Sequence, residues 1–438
     1  MSRPNILYIH THDTGRYIQP YGYPVPTPNL QSLAQEGVAF RNAFCMSPSC
    51  SPSRASLLTG QYTHSNGMMG LSHTAPDLVD IGIFRIRDPE HHILHTLRKA
   101  GYTTVLAGLE HIVELSDEDQ RTIGYERFIG TRSNGEKSAA GFLDADPPQP
   151  FFLAVGFHET HRDFPEPGPE EDPRFSRPPA PIQDCPQTRR DMAGFKASAR
   201  IADGKIGEVF EALKRNGLWD NTLIIATTDH GIAFPRMKGN LTDGGTGVFL
   251  IMKGPGGFSG GAPIEALVSH IDVFPTICHL LEIDPPAWLQ GRSLLPLVRK
   301  EREEVRDAVF TELTYHRVYE PSRCIRTQRW KYILRFGGDY TPNANADPRS
   351  PSTDYWTDHG WNDREAEEEM LYDLVFDPLE TNNLIGRPRV ASIHAELRER
   401  LARWMEETDD PLRRGPVPGP RGDFEHDRDY LERTAANG

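Results

Sequence analysis

The sequence lacks any apolar run that approaches the roughly 18 residues of a membrane-spanning helix. Cysteine is scarce, with five residues in 438, and their spacing fits neither a zinc site nor a paired disulfide framework. Positive charge is in the minority, because 48 Lys and Arg face 62 Asp and Glu and leave a net charge of −14. We therefore expect free thiols, no membrane partner and no nucleic-acid partner.

We also expect no secretion leader, because residues 1–4 run directly into the apolar segment 5–9. Such leaders have a basic start and a longer apolar core, so we expect a cytoplasmic protein. The chain length and an apolar content of 37% suit one large domain with a smaller one attached. The sequence does not set the oligomeric state, and a homo-oligomer stays open.

Apolar segments alternate with helical segments through the first 300 residues. This alternation predicts an α/β fold with a mostly parallel central sheet flanked by helices. The predicted strands are 5–10, 102–107, 151–157, 222–228 and 248–252, and the predicted helices are 28–35, 91–100, 191–216 and 271–281. Residues 115–148 and 165–188 are polar or rich in proline, so they are expected to form surface segments.

The pattern changes near residue 305. An antiparallel strand at 327–336 and a closing helix at 392–406 are expected after that point, followed by a tail rich in Pro, Arg and Gly. We therefore divide the chain into an α/β domain, residues 1–305, and a smaller α+β subdomain with an antiparallel sheet and extended tail, residues 306–438.

Polar clusters with histidine or aspartate follow four of the predicted strands. Because sites in open α/β sheets form beyond the carboxyl ends of the strands, these side chains are expected to converge. Chance placement of buried histidines would not favour strand ends, so the coincidence indicates a chemical centre. The residues are His12, Asp13, His111, His158, His161, Asp229 and His230.

Cys50 precedes a short helical segment that ends at Gly60. Ser51 is a suitable N-cap and Pro52 a suitable first helical residue, while Gly60 can end the helix in a left-handed conformation. This arrangement places Cys50 just before the positive end of the helix dipole, where an anion is stabilised. Arg54 lies one turn later and can point to the same place.

Segment 50–60, with Cys50, Pro52, Arg54 and a final Leu-Thr-Gly, resembles the signature of the type I sulfatases of the alkaline phosphatase superfamily. The resemblance implies a sulfatase-like fold, and a formylglycine-generating enzyme that converts Cys50 to formylglycine, an aldehyde whose hydrate is the nucleophile. Other segments resemble the N-sulfoglucosamine sulfohydrolase (sulfamidase) branch, namely 40–44, 67–71, 151–155, 291–296 and 407–411.

The resemblance also implies a metal site. Sulfatases hold calcium with two acids after the first strand, an Asp-Asn pair after a late strand and the formylglycine oxygen of the residue matched by Cys50. The matching positions are His12, Asp13, Asp229 and His230, so two oxygen ligands have become imidazoles. Calcium prefers oxygen and mixed His/Asp sites suit transition metals, so we expect one divalent ion, with Mn favoured and Ca, Zn or Fe as alternatives.

Four further residues take roles from the resemblance. Arg54 would hold the formylglycine hydrate, and His111 would be the base that expels sulfate from the covalent intermediate. His161 would protonate the leaving group, and Lys238 would bind the sulfate oxygens. One departure is that Leu109 stands where the family has a lysine, so a cation of the sulfate site is missing.

Two histidines, His158 and His64, are predicted to contact the substrate. Four other residues are equally compatible with a pocket wall and with an ordinary surface, namely Asn66, His73, His316 and Arg317.

The leading hypothesis is a sulfatase that hydrolyses a sulfate ester or sulfamate of a small anionic substrate, either a sulfated sugar or an aryl or alkyl sulfate. A phosphodiesterase or phosphonate monoester hydrolase of the same superfamily is the first alternative, because phosphoryl and sulfuryl groups share their geometry. The second alternative is an inactive relative that binds a metal or an anion.

Overall fold

The computed structural model describes residues 3–72, 84–113, 116–316, 319–337 and 350–417. The strands are β1 (Asn5–Thr11), β2 (Val38–Phe44), β3 (Thr103–Gly108), β4 (Arg127–Ile129), β5 (Phe151–Gly156), β6 (Thr222–Thr228), β7 (Gly247–Val248), β8 (Leu250–Lys253), β9 (Ile264–Ser269), β10 (Ala308–Tyr315), β11 (Tyr319–Thr327), β12 (Trp330–Arg335) and β13 (Glu369–Asp373). The helices are α1 (Pro28–Glu36), α2 (Cys50–Thr59), α3 (Thr63–Asn66), α4 (Ile93–Lys99), α5 (Asp117–Thr122), α6 (Gly135–Asp144), α7 (Pro186–Arg215), α8 (Asp243–Thr246), α9 (Val273–Leu280), α10 (Leu295–Val298), α11 (Pro351–Asp358) and α12 (Ala391–Glu407). No helix formed by these residues combines the length and the apolar character needed to cross a membrane.

A nine-stranded sheet forms the centre, in the order β4-β3-β5-β1-β6-β8-β2-β7, with β9 beside β2. The first five of these strands are mutually parallel, and β8 is antiparallel to β6 and β2. All seven residues of β1 are buried, as expected for a strand that is covered on both faces. The predicted α/β architecture is therefore confirmed.

Each face of the sheet carries its own apolar core, because side chains alternate along a strand. Ile6 and Tyr8 face the side covered by α2, α4 and α9. Leu7 and Ile9 face the opposite side, which is covered by α1, α6 and α7. The central strands are therefore buried between two layers of helices, and the loops that carry the polar clusters begin at their carboxyl ends.

The structure differs from the sequence-based prediction of this domain at three places. Residues 115–148, expected to form a surface segment, contain α5, β4 and α6. The buried Ala139, Phe142 and Leu143 of α6 are spaced as one face of a helix. Strand β9 was missed. The strand predicted at 248–252 is two strands, because the Phe249 N–H donates to the Gly15 carbonyl at 2.9 Å instead of to a neighbouring strand.

A second sheet follows, with the antiparallel order β10-β11-β12-β13. Helix α12 packs on it through Leu397, Leu401 and Trp404. The predicted closing helix and antiparallel sheet are present, and the first strand of this sheet begins at Ala308. The tail beyond residue 417 lies outside the described residues.

A buried group of charged residues joins α3 to the second sheet. Arg323 is 0% exposed, and its Nη2 donates to Asp410 Oδ1 at 3.0 Å. Glu312 lies 3.5 Å from the Arg323 guanidinium and 2.9 Å from His64 Nδ1. Burial alone would raise the pKa of Glu312, but His64 and Arg323 outweigh burial and hold it below its ordinary value.

We expect Arg323→Met to lower the free energy of unfolding by about 3–5 kcal/mol, because two buried carboxylates would lose their shared cation. Urea unfolding at pH 7 measures the loss. Arg329→Met is the control, since Arg329 is 51% exposed in its pair with Asp373, and exposed pairs contribute less than about 1 kcal/mol. Equal effects of the two substitutions would contradict the assignment.

The same group makes stability depend on pH. Because the folded pKa of Glu312 is lowered, Glu312 contributes to the free energy of unfolding at pH values above its unfolded pKa of about 4.3. This contribution is lost as the pH falls through the lower folded pKa.

Candidate active site

Four neighbouring parallel strands, β3, β5, β1 and β6, deliver the polar clusters to one edge of the sheet. Asp13 and Asp229 follow β1 and β6, and the Asp13 N–H donates to Asp229 Oδ1 at 2.8 Å. Asp13 has a φ of 55°, a left-handed conformation that aspartate tolerates better than most residues. The predicted convergence of strand ends is therefore present in the fold.

Helix α2 brings Cys50 to this edge. Cys50 is the first residue of the helix and is 2% exposed, and its Sγ lies 3.2 Å from His230 Nε2. Gly60 ends the helix with a φ of 67°, as predicted. The predicted N-cap was wrong: Ser49 occupies it instead of Ser51, so that Cys50 itself stands in the first turn, at the positive end of the dipole.

Ser49 does not cap the helix through its side chain. Its hydroxyl instead contacts His316 Nδ1 at 2.9 Å. His316 is 6% exposed and comes from the end of β10, so the second sheet reaches the residue next to Cys50. Of the other open candidates, Asn66 is buried against α2, while His73 and Arg317 lie outside the described residues.

The donor atoms that could hold a metal lie close together. One ligand atom each from His12, Asp13, Cys50 and Asp229 lies within 4.8 Å of the others, and all four residues are buried. His230 is outside that set of four, yet its Nε2 is 3.3 Å from Asp13 Oδ1. Burial is the main cause that lowers the pKa of His12 to about 3. Two carboxylates and a neutral imidazole at this spacing fit a divalent cation.

Both carboxylates are paired with buried cations. Lys238 Nζ lies 2.7 Å from Asp13 Oδ2, and Arg54 Nη2 lies 2.9 Å from Asp229 Oδ2. Burial alone would raise the pKa of Asp13, but Lys238 and the neighbouring histidines outweigh it and hold the pKa well below its ordinary value. The pKa of Asp229 is likewise lowered against burial, chiefly by histidines and then by Arg54. Both groups are therefore anionic at neutral pH.

Arg54 points towards β1. It donates to the Thr11 carbonyl at 3.2 Å, to Asp229 and to His10 Nδ1. Sequence reasoning gave no role to His10, which is 3% exposed. The sequence could have indicated His10, because residues two apart on a strand share a face. His10 is two residues before His12 and therefore lies on the same side.

Three histidines border the donor cluster. His111 Nδ1 lies 3.2 Å from His12 Nε2, and His161 Nε2 lies 3.3 Å from Lys238 Nζ. The rings of His158 and His161 stack with centroids 5.1 Å apart. His161 is 27% exposed at its side chain, so this side of the cluster reaches solvent.

Leu109, the departure noted above, is buried at this edge and is 5% exposed. A cation that sequence reasoning missed lies nearby, since Arg132 follows β4, the next parallel strand. Burial first, and then Arg132 and His161, lower the pKa of His158 to about 4. Positive charge therefore reaches His158 from the β4 side.

His64 is the predicted site residue that the structure places elsewhere. It is 2% exposed, and its Nδ1 lies between Glu312 and Asp410, at 2.9 and 3.9 Å. Its ring lies against Tyr62 and Trp404. These contacts belong to the charged group between α3 and the second sheet, which gives His64 a structural environment and not a substrate-facing one.

Comparison with known proteins identifies relatives of this chain among the sulfatases. The family model described as Sulfatase matches residues 4–283, and the one described as N-sulphoglucosamine sulphohydrolase, C-terminal, matches residues 238–343. The chain is 31% identical to N-sulphoglucosamine sulphohydrolase of Homo sapiens over 88% of this chain and 86% of that protein.

Solved structures share the fold. One, in complex with its substrate D-glucosamine-2-N,6-O-disulfate, is 19% identical with a TM-score of 0.72, covering 95% of this chain and 99% of that one. A phosphonate monoester hydrolase from Silicibacter pomeroyi is 20% identical with a TM-score of 0.67, covering 94% and 97%. Together with the family matches, these findings establish that the chain belongs to the sulfatase family, whose members are sulfuric ester hydrolases.

Proposed function

We propose that this chain hydrolyses the sulfate ester or sulfamate of a sugar, with formylglycine made from Cys50 as the nucleophile and a divalent metal beside it. One observation carries the proposal: Cys50, within the sulfatase signature, lies within 4.8 Å of the ligand atoms of His12, Asp13 and Asp229. The name of the human relative supports an N- or O-sulfated glucosamine as the substrate class.

His12, Asp13, Asp229 and His230 would hold the metal. When bound, it would polarise a sulfate oxygen and lower the pKa of a neighbouring hydroxyl. The Cys50 Sγ stands where an oxygen of the formylglycine hydrate would lie, and a formylglycine-generating enzyme is the partner that this modification requires.

Lys238 and His161 would act together on the far side of the sulfate. They lie 3.3 Å apart, so a sulfate oxygen held by Lys238 brings the bridging atom close to His161. The Nδ1 of His161 donates to the Arg162 carbonyl. The proton for the leaving group would therefore come from Nε2, with the bound sulfate replacing the contact between Nε2 and Lys238 Nζ. His161 is therefore the proposed acid.

The proton for the release of sulfate would pass to His111, which contacts His12 at the edge of the cluster. Arg54 donates to Asp229 and to the Thr11 carbonyl. It would therefore hold the Asp229 carboxylate in position within the donor cluster. His158 and Arg132 would contact the sugar part of the substrate. They would provide polar groups on the side of the site where Leu109 replaces the lysine of the family.

Rates on 4-nitrophenyl sulfate and on bis-4-nitrophenyl phosphate, with defined metals, test the proposal. We expect the sulfate to be the better substrate. A diester rate that is higher by orders of magnitude would favour the phosphodiesterase alternative. An absence of turnover with a converted residue 50 and bound metal would favour the inactive alternative.

A buried ion pair fixes the loop that carries His161. Arg162 forms two hydrogen bonds with Asp191 of α7, at 2.6 and 2.8 Å, and it also donates to the Ala233 carbonyl at 3.1 Å. The guanidinium stacks on Phe164 at 4.3 Å. Arg162 therefore anchors the segment beside His161 to two other elements, which makes it a positioning residue for the proposed acid.

We expect Arg162→Gln to lower kcat/KM about 100-fold for a sugar sulfate, which needs a proton on its leaving oxygen. The loss for 4-nitrophenyl sulfate should stay below about tenfold, because nitrophenolate leaves without a proton. Arg200→Gln is the control, since Arg200 lies on α7, as Asp191 does, but is 48% exposed in its pair with Glu171. Equal losses on both substrates would contradict the role.

A further inference from the structure

The loop after β3 holds His111 in an uncommon backbone conformation. His111 has a φ of 75°, in the left-handed region that residues with a Cβ rarely adopt. Such a conformation persists where the surrounding contacts fix it, and it is common at functional sites. The contacts around His111 therefore indicate what keeps this side chain in place beside the donor cluster.

One side chain, Glu110, closes the loop across His111. Its Oε2 accepts the N–H groups of the two residues that follow His111, Ile112 at 2.7 Å and Val113 at 3.2 Å. Ile112 is 1% exposed, so its N–H has little access to water and depends on this acceptor. The Glu110 carboxyl group therefore fixes the peptide units on the far side of His111.

The near side of the loop is also fixed. The Leu109 N–H donates to the Gly156 carbonyl of β5 at 3.0 Å. Glu110 is 3% exposed, and the Gln120 side chain of α5 is a further hydrogen-bond partner of its carboxyl group. Burial raises the pKa of Glu110 to about 7, so an amide is a close substitute for this carboxyl group at neutral pH.

The ring that this loop carries lies beside residue 50. His111 Nδ1 is 3.2 Å from His12 Nε2, and a ring nitrogen of His111 lies within 4.8 Å of Cys50 Sγ. In the release step proposed above, the free hydroxyl of the sulfated hydrate gives its proton to His111. Its C–O bond becomes a C=O bond, and the bond from that carbon to the sulfate oxygen breaks. A base must be within hydrogen-bond reach of the proton that it accepts, so this step depends on where the loop holds the ring.

We propose that Glu110 is a positioning residue for His111, and that it thereby controls the release of sulfate from residue 50. Its part is to accept two backbone N–H groups and so fix the loop, and it exchanges no proton with the substrate. The control of sulfate release rests on the proposed function, whereas the fixing of the loop does not.

The first test follows the reaction of excess 4-nitrophenyl sulfate with Glu110→Met protein that is converted at residue 50 and loaded with metal. Methionine is similar in size but offers no oxygen acceptor to the loop. We expect kcat to fall about 30-fold, less than the roughly 100-fold or more expected for loss of the base itself. The value of kcat/KM should stay within about threefold, because sulfate transfer to residue 50 precedes the affected step. Nitrophenol should therefore appear in a burst of about one molecule per converted site.

Two further variants separate this role from a general loss of structure. Glu110→Gln keeps an oxygen acceptor and should retain kcat within about threefold. Glu126→Met is the matched control, because Glu126 also accepts a backbone N–H, that of Thr104 at 3.1 Å, but near the opposite end of β3. Its time course should match that of the unsubstituted protein. The role is overturned if Glu110→Met lowers kcat and kcat/KM equally without a burst, or if Glu110→Gln is as impaired as Glu110→Met.

Amide hydrogen exchange tests the loop without any turnover. We expect the amides of Ile112 and Val113 to exchange at least about tenfold faster in Glu110→Met than in the unsubstituted protein, and Glu110→Gln to show no such increase. Unchanged exchange in Glu110→Met overturns the inference. Faster exchange in that variant, with no sulfate turnover by the converted, unsubstituted protein, supports the role of Glu110 in the loop and overturns only the proposed function.

Discussion

Cys50→Ala will lower sulfate ester turnover by at least about 10⁴-fold, because the substitution removes the nucleophile of the proposed covalent mechanism. The side chain is small and buried, and its Sγ contact is with His230 Nε2. The carboxylates of Asp13 and Asp229 keep their own partners, Lys238 and Arg54. The fold should therefore survive while the chemistry is lost.

The modification itself is measured by mass spectrometry. In active protein, the peptide that contains residue 50 should be about 18 Da lighter than the unmodified sequence, which is the difference between cysteine and formylglycine. Cys45→Ala is the matched control, since Cys45 is also buried on the approach to α2 and its Sγ donates to the Ser47 carbonyl at 3.1 Å. We expect this variant to keep its activity per folded molecule.

Two outcomes would contradict this account. One is full activity in a preparation whose residue 50 is entirely cysteine. The other is a Cys50→Ala protein that retains a tenth or more of the original turnover. Either would remove formylglycine from the mechanism and leave the metal to activate a water molecule directly.

The central sheet could be predicted because its signals are local. Residues 222–228 form an apolar run between two polar turns, and the structure has the strand at those same positions. The clusters after these strands also followed from the sequence, because the parallel order of β3, β5, β1 and β6 sends every strand end to one edge. Asp13 and Asp229 meet for that reason.

The contacts that support the site could not be predicted, because they join residues far apart in the chain. Arg162 forms its ion pair with Asp191, which is 29 positions away in the sequence, and Ser49 contacts His316, which is 267 positions away. No spacing rule selects such pairs. The prediction for His64 shows the same limit, because its environment is set by Glu312, which lies 248 positions away.

Removal of divalent metal will lower turnover by at least about 10³-fold, and Mn²⁺ will restore it more fully than Ca²⁺. The reason is the donor set, in which His12 and Asp13 lie together after β1 and His230 follows Asp229 after β6. Calcium needs six to eight oxygen ligands, whereas imidazole nitrogen binds Mn²⁺, Fe²⁺ and Zn²⁺ more readily. Turnover of metal-free protein, titrated with each ion, measures the preference.

His12→Asp will shift the metal preference from Mn²⁺ towards Ca²⁺, since it replaces an imidazole with a carboxylate oxygen donor at the end of β1. Calorimetric titration of the metal-free variant should show Ca²⁺ binding strengthened relative to Mn²⁺ by about tenfold or more. His279→Asp is the matched control, because His279 contacts Ser293 on the surface, away from the donor cluster. If Ca²⁺ and Mn²⁺ restore the unsubstituted protein equally and His12→Asp changes neither affinity, then His12 is not a ligand and the two aspartates hold the ion without it.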